Sequence, residues 1–279
     1  ALMASKEALE IERRIKSVLS SNELSIVYQP IYHLERNEIV GFESLSRFAA
    51  KPLRTPDIWF QEAAGVGLGI ALEAKAVRVA LQGLRRLPTE IYLSVNFSPE
   101  AILSGSIDRI LGDAPLDRIV LEITEHHSID HYTDIAKTLR PLRKKGLRIA
   151  VDDAGAGYAS FRHILNLAPD IIKLDMSLTR DIDTDRSRRA LAAALIRFSQ
   201  ETGCKIIAEG VETVAELNTL QQLGVVKAQG YLLGRPMSLD NALELLEQLG
   251  YSAHNANRAA SANGVGRPRS GVRFKENAR

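Results

Sequence analysis

The chain has 279 residues, 45% hydrophobic and 25% charged, with a net charge of +2 and a single cysteine. That balance suits one large globular domain or two small ones, and no stretch approaches the ~18 unbroken apolar residues of a membrane span. One thiol excludes an internal disulfide and a cysteine-based metal site, and with no secretory leader it points to the cytoplasm.

Residues 1–5 read as a cloning remnant and carry no weight. Residues 6–20 space apolar positions three and four apart, which predicts an amphipathic helix. Ser25–Tyr32 reads as a strand, with Pro30 confining it to an edge or a strand end. Glu38–Arg47 is a second strand after a short polar connection, which suits an antiparallel pair. Strand and helix then alternate. Apolar strands are predicted at 91–95, 118–123, 148–152, 171–174, 205–208 and 225–228, and helices near 56–85, 98–104, 130–145, 158–166, 185–203, 212–223 and 239–249. Eight strands with crossover helices in about 250 residues predict an α/β fold, a closed (β/α)8 TIM-like barrel with one reversed strand. An open doubly wound sheet would place its glycine-rich loop after the first strand, whereas here that loop comes late.

Residues 251–279 carry six Lys/Arg and one acid in a Ser/Asn/Gly-rich tail, which reads as disordered. The other 30 bases against 33 acids leave the body at −3, so a body that handles phosphates needs metal ions to do so.

In a barrel of this kind the chemistry gathers at the C-terminal strand ends. The second strand ends around Glu43 and Arg47, and the strand at 91–95 delivers Asn96. The strand at 118–123 carries Glu122, with Glu125 just beyond it. The next runs Leu147-Arg-Ile-Ala-Val-Asp-Asp153 into Ala154-Gly-Ala-Gly157, ending in two adjacent carboxylates. Successive strand residues point to opposite faces, so Asp152 and Asp153 approach one object from two sides. Lys173 and Asp175 follow, then Glu209 and Glu212, then Gln229. Each has a plainer reading. Asn96 could cap the helix near Pro99, Glu125 and Glu212 could sit at helix starts, Lys173 could only neutralise an acid, and Arg47 could form a rim salt bridge. Of the histidines, His33, His126, His127, His131, His163 and His254, none shows a ligand spacing beside the acids. Convergence decides: five carboxylates and an amide brought to one mouth require compensating charge. All-oxygen ligation selects Mg2+ or Mn2+, and the number of acids suits two ions sharing Asp152. The reaction class implied is hydrolysis of a phosphate ester, with Lys173 orienting water and Arg47 holding a phosphate.

Glu43-Ser-Leu45 within Glu-x-Leu-x-Arg, following Tyr28-Gln-Pro-Ile31, resembles the signature of the EAL-domain cyclic di-GMP phosphodiesterases. So do the Asn96 motif, Leu121-Glu-Ile-Thr-Glu125, Asp152-Asp153 with its glycine-rich turn, Lys173-Leu-Asp175, Ala208-Glu-Gly-Val-Glu212 and Gln229-Gly-Tyr231, in the family's order over residues 8–250. The resemblance implies a barrel whose first strand runs antiparallel and metal-dependent opening of cyclic di-GMP to linear 5′-pGpG. It implies Glu43, Asn96, Glu122 and Asp152 as ligands of one ion, and Asp152, Asp153 and Glu209 as ligands of the second. Lys173 would hold the nucleophilic water, and Glu209 stands where a general base has been placed. Glu125 would steady the turn after Asp153, and Glu212 would steady Lys173 or the metal shell. Gln29, Arg47, Asp175, Gln229 and Pro236 would contact the ligand. A homodimer and inhibition by Ca2+ are further expectations, while no nucleic-acid polymer is expected as a partner.

The departures are Ser44 in place of alanine, and Ala154, Ala156 and Ala159 in a turn that usually carries an aromatic and two hydroxyls. A receptor that binds cyclic di-GMP without cutting it is the alternative function. A Schiff-base enzyme using Lys173 is a remote third, because nearby acids oppose the depressed lysine pKa it needs.

Overall fold

The protein is described by a computed structural model covering residues 2–123, 131–155 and 159–251. Eight strands hydrogen-bond in sequence order around a closed barrel: β1 (Leu24–His33), β2 (Glu38–Phe48), β3 (Tyr92–Asn96), β4 (Ile119–Ile123), β5 (Arg148–Ala154), β6 (Ile171–Leu174), β7 (Lys205–Ala208) and β8 (Lys227–Ala228). β1 runs antiparallel to both β2 and β8, and the remaining pairs are parallel. The hairpin is therefore the reversed strand that the short connection implied. Pro30 fits because β1 meets β8 only at Tyr32 and His33, while Tyr28 exchanges backbone bonds with Met237. The next N–H on that edge would belong to Pro30, which has none to leave unpaired.

The helices are α1 (Leu2–Ser20), α2 (Pro56–Gly65), α3 (Gly69–Leu84), α4 (Pro99–Leu103), α5 (Ile107–Leu111), α6 (Tyr132–Lys144), α7 (Ala159–Leu167), α8 (Met176–Thr179), α9 (Arg186–Thr202), α10 (Val214–Gln222) and α11 (Leu239–Gln248). The single helix expected over 56–85 is two. Gly67, at φ +74°, turns the chain between them, and the N–H groups of Gly67 and Leu68 close onto the carbonyls of Ala64 and Ala63. α5 and α8 lack the length for a periodic signal and were not expected. The last strand is half the predicted length, and the tail beyond Tyr251 lies outside the described residues.

Period-two alternation builds the core in two shells. Ile31, Tyr92, Val120, Ala150, Ile171 and Ile207 fill the lower barrel interior as one buried cluster. Their strand neighbours Leu93, Leu121, Val151, Ile172 and Ala208 face outward and pack with the helical layer. A separate buried cluster joins α1, α2 and α3, where Trp59 stacks on Phe48 at 5.1 Å and Arg14 lies over the indole at 5.9 Å. Among the described residues no helix is long and apolar enough to cross a membrane.

Candidate active site

Two residues beyond the lower apolar layer, each strand presents its next inward position, and there the chemistry changes. Val120 gives way to Glu122, Ala150 to Asp152, Ile171 to Lys173 and Ile207 to Glu209; Glu43 and Gln229 join them from β2 and the end of β8. The same alternation that packs the interior thus collects the polar residues at the C-terminal mouth.

Lys173 is fully buried at the centre. Its Nζ stands 2.9 Å from Glu122 Oε2, 2.9 Å from Glu209 Oε1, 3.0 Å from Asp152 Oδ1 and 3.5 Å from Glu43 Oε1. Burial disfavours its charge, but the four carboxylates outweigh burial and hold Lys173 well above the ordinary lysine value. That direction removes the Schiff-base reading, which needs a neutral amine. Burial pushes Glu122 well above the usual glutamate value, with Glu43 and Asp152 adding to it and Lys173 opposing; burial and Asp152 do the same to Glu209.

One ammonium facing four carboxylates leaves the centre short of positive charge. Oxygen lone pairs are also left over: Glu122 Oε1 and Gln229 Oε1 are buried without a hydrogen-bond donor among the described residues. Carboxylate oxygens of Glu43, Glu122 and Asp152 form one group within 4.8 Å of one another, and those of Asp152, Asp153 and Glu209 a second. Asp152 belongs to both. Asn96 ends β3 in an exposed position abreast of Glu122. An all-oxygen donor set with excess negative charge and orphaned acceptors fits hard divalent cations.

Asp153 reaches this cluster by a device the alternation did not foresee. β5 carries a bulge between Val151 and Ala154, three steps against two in β6, and Asp153 adopts φ +54°. The bulge, and not plain alternation, brings both aspartates into one group with Glu209. The backbone N–H of Asp153 donates to Asp152 Oδ1 at 3.0 Å.

Gln229 is a strut between carboxylates: its Nε2 donates to Glu43 Oε2 at 2.5 Å and to Glu209 Oε1 at 2.8 Å. Gly230 makes that position possible. It adopts φ +156°, and a Cβ there would stand 2.2 Å from the backbone N and O of Val211. Gln29 donates to the Gly234 carbonyl at 3.2 Å. Ser44 donates to the Ser94 carbonyl at 2.7 Å, extending the β2–β3 ladder one residue past its last pair, Glu43 with Ser94. The hydroxyl that departs from the family pattern thus ties down the strand beside Glu43.

Other expected residues lie apart from this cluster. Arg47 is exposed and donates to the Ser46 carbonyl. Glu212 does not contact Lys173; its exposed carboxylate pairs with Arg180 at 3.2 Å, because the chain leaves the barrel mouth after Val211 to enter α10. Asp175 caps α8, accepting from the Ser177 N–H at 2.8 Å. Pro236 is half-buried in the loop before α11. Asn96 does not cap α4, a role filled by Ser98. Glu125, His126, His127 and Ala156 lie outside the described residues, and Ala159 is seen only as the first residue of α7. Buried Glu216 was missed. It accepts from the N–H groups of Glu212, Thr213 and Asp181, bracing the loop after Glu209, and Thr213-x-x-Glu216 is its sequence signal, a capping box.

The EAL domain family model matches residues 12–236. The cyclic di-GMP phosphodiesterase NbdA of Pseudomonas aeruginosa is 28% identical over 264 residues, 90% of this chain and 34% of that protein. Among solved structures, the PaMucR phosphodiesterase in complex with c-di-GMP shares 26% identity at a TM-score of 0.74, covering 85% of this chain and 99% of that one. The Klebsiella pneumoniae BlrP1 manganese/cy-diGMP complex shares 27% identity at 0.69, covering 78% of this chain and 57% of that one. The chain spans 29–46% of the length of the curated relatives it first matches. With the family model covering most of the chain and the barrel shared with solved EAL structures, the chain belongs to the EAL-domain family.

Proposed function

We propose that this chain hydrolyses cyclic di-GMP to linear 5′-pGpG, with two Mg2+ or Mn2+ ions as cofactors. The observation that carries the reading is the pair of carboxylate groups sharing Asp152, in a buried centre where four acids face one lysine. Glu43, Asn96, Glu122 and Asp152 would hold one ion, and Asp152, Asp153 and Glu209 the other. When bound, such ions lower the pKa of water and offset charge on phosphoryl oxygens.

The chain's own residues supply the rest. Lys173, held protonated among the carboxylates, would hold the attacking water through an Nζ–H. Glu209 sits beside Lys173 Nζ, and as a ligand of the second ion it would act on the proton of that water indirectly. Gln229 holds Glu43 and Glu209 at a fixed separation. Gln29, Arg47, Asp175 and Pro236 contact the dinucleotide around the rim, Arg47 through a phosphate. Glu125 steadies the turn after Asp153. The working state is a cytoplasmic homodimer, and Ca2+ inhibits it.

Incubating the purified chain with cyclic di-GMP and Mg2+ or Mn2+, then separating nucleotides by anion exchange, tests the reading. Accumulation of pGpG supports it. Binding without turnover in both metals overturns it in favour of a receptor.

A further inference from the structure

At the opposite end of the barrel from the carboxylates, a cavity of about 690 Å³ opens between the N-terminal ends of β5–β8 and the C-terminal ends of α7 and α9. That volume lies within the range of small-molecule sites. Among the described residues four cations line it, Arg143, Arg148, Lys205 and Lys227, against one acid, Asp170.

Asp170 is already used. Its carboxylate takes Arg143 at 3.1 Å and the Ile149 N–H at 2.8 Å, and Arg143 also donates to the closing carbonyls of α7 at Leu167 and Ala168. Arg143 and Asp170 thus form a closed structural unit. Arg148, Lys205 and Lys227 have no ion pair among the described residues. Arg148 and Lys227 both lie over the Tyr92 ring, at 4.6 and 5.4 Å, and Arg148 also donates to the Asp117 carbonyl at 3.4 Å. Burial and then Arg148, Arg36 and Lys205 push Lys227 down to about 8, while Arg36 is itself engaged by Glu38 at 3.7 Å. Like charges gathered on a cavity wall without a counter-charge lose stability unless an anion joins them. The other wall is apolar, formed by Ile164, Leu165 and Phe198, with Leu165 72% exposed.

The geometry points to a second ligand site at the base of the barrel, for a small phosphomonoester with an aromatic or apolar body. Its phosphate is held by Arg148, Lys205 and Lys227 and its body lies against Leu165 and Phe198. A nucleoside monophosphate has this chemistry. Nothing in the catalytic reading uses these residues, so the site stands or falls apart from it.

Cys204, the only cysteine of the chain, lines the same cavity and is half-buried, which makes its alkylation rate a local reporter. The test is iodoacetamide labelling of the full chain in EDTA, with GMP, guanosine or inorganic phosphate, beside calorimetric titration under the same conditions. GMP at about ten times its Kd should slow alkylation about tenfold, since only the free fraction reacts, and titrate one site per chain. Lys205→Glu, at an exposed position, and Lys227→Met should each abolish both signals while melting as folded proteins. Absence of GMP binding, binding that survives both variants, or guanosine or phosphate alone matching GMP would overturn the assignment.

Discussion

Lys173 Nζ and Glu122 Oε2 stand 2.9 Å apart, and neither side chain has any exposed surface. The pair is held at the one place in the barrel interior where apolar packing ends and four carboxylates begin. Removing the ammonium leaves buried carboxylates without their compensating charge, which costs about 3–5 kcal/mol. Lys173→Met is therefore expected to melt well below the parent in EDTA. A divalent cation supplies the missing charge, so Mn2+ should restore most of the loss while turnover stays absent. Thermal melts of both proteins with and without Mn2+ check this, and an equal deficit in both conditions would count against a cation site here.

The raised pKa values of Glu122 and Glu209 give metal binding a direction with pH. Burial is the leading cause for both, and in the metal-free fold these groups hold protons above the ordinary glutamate value of 4.5. A raised folded pKa contributes stability fully present below the unfolded value and lost as pH rises through the folded one. Divalent ions compete for the same oxygens and release those protons, so their affinity rises as pH climbs through that window. The melting-temperature difference between Mn2+ and EDTA samples should accordingly widen as pH rises above the ordinary glutamate value of 4.5. A difference independent of pH would mean that neither glutamate is a ligand.

Much of this centre is legible in the sequence because a strand's period of two is blind to everything except register. Once Val120, Ala150, Ile171 and Ile207 are inward, Glu122, Asp152, Lys173 and Glu209 must follow. What escapes that logic depends on irregular backbone or on partners far along the chain. The bulge that turns Asp153 inward breaks the alternation used to place it, and Gly67 ends a helix whose apolar spacing runs on unchanged. Glu212 reads like its neighbours at a strand end, yet it pairs with Arg180, a contact that no local pattern encodes. Lys205 and Lys227 look like ordinary solvated lysines until barrel closure sets them on one cavity wall with Arg148.

Gly230 tests whether Gln229 is positioned or merely present. A methyl at Gly230 meets the Val211 backbone at 2.2 Å, and backbone cannot rotate away as a side-chain tip can. Gly230→Ala should displace Gln229 and free Glu43 and Glu209 from their shared amide. Loss of an outer support of this kind lowers metal affinity or activity about 10–100-fold. Mn2+ titrations of turnover should show the shift as a higher metal requirement. Unchanged metal dependence, with the variant folded, would assign Gln229 no supporting role.

A fourth expectation concerns the helix that packs outside the barrel. The last carbonyls of α1 have no intrahelical donors, and Lys75 of α3 supplies them, donating from Nζ to Val18 at 2.8 Å, Leu19 at 3.0 Å and also Ser21. Hydrogen bonds to a charged group contribute about 1.5–3 kcal/mol, more than neutral ones. Lys75→Met keeps the aliphatic stem but orphans the carbonyls, so α1 should loosen from α2 and α3. The only tryptophan of the chain, Trp59, is fully buried in that contact and stacked on Phe48, so its emission reports the loosening directly. Its fluorescence should shift to the red at denaturant concentrations where the parent is unmoved. Turnover should hold, because the carboxylate centre is built from the strands and not from α1. An emission transition coincident with the parent's would show that apolar packing alone holds α1 in place.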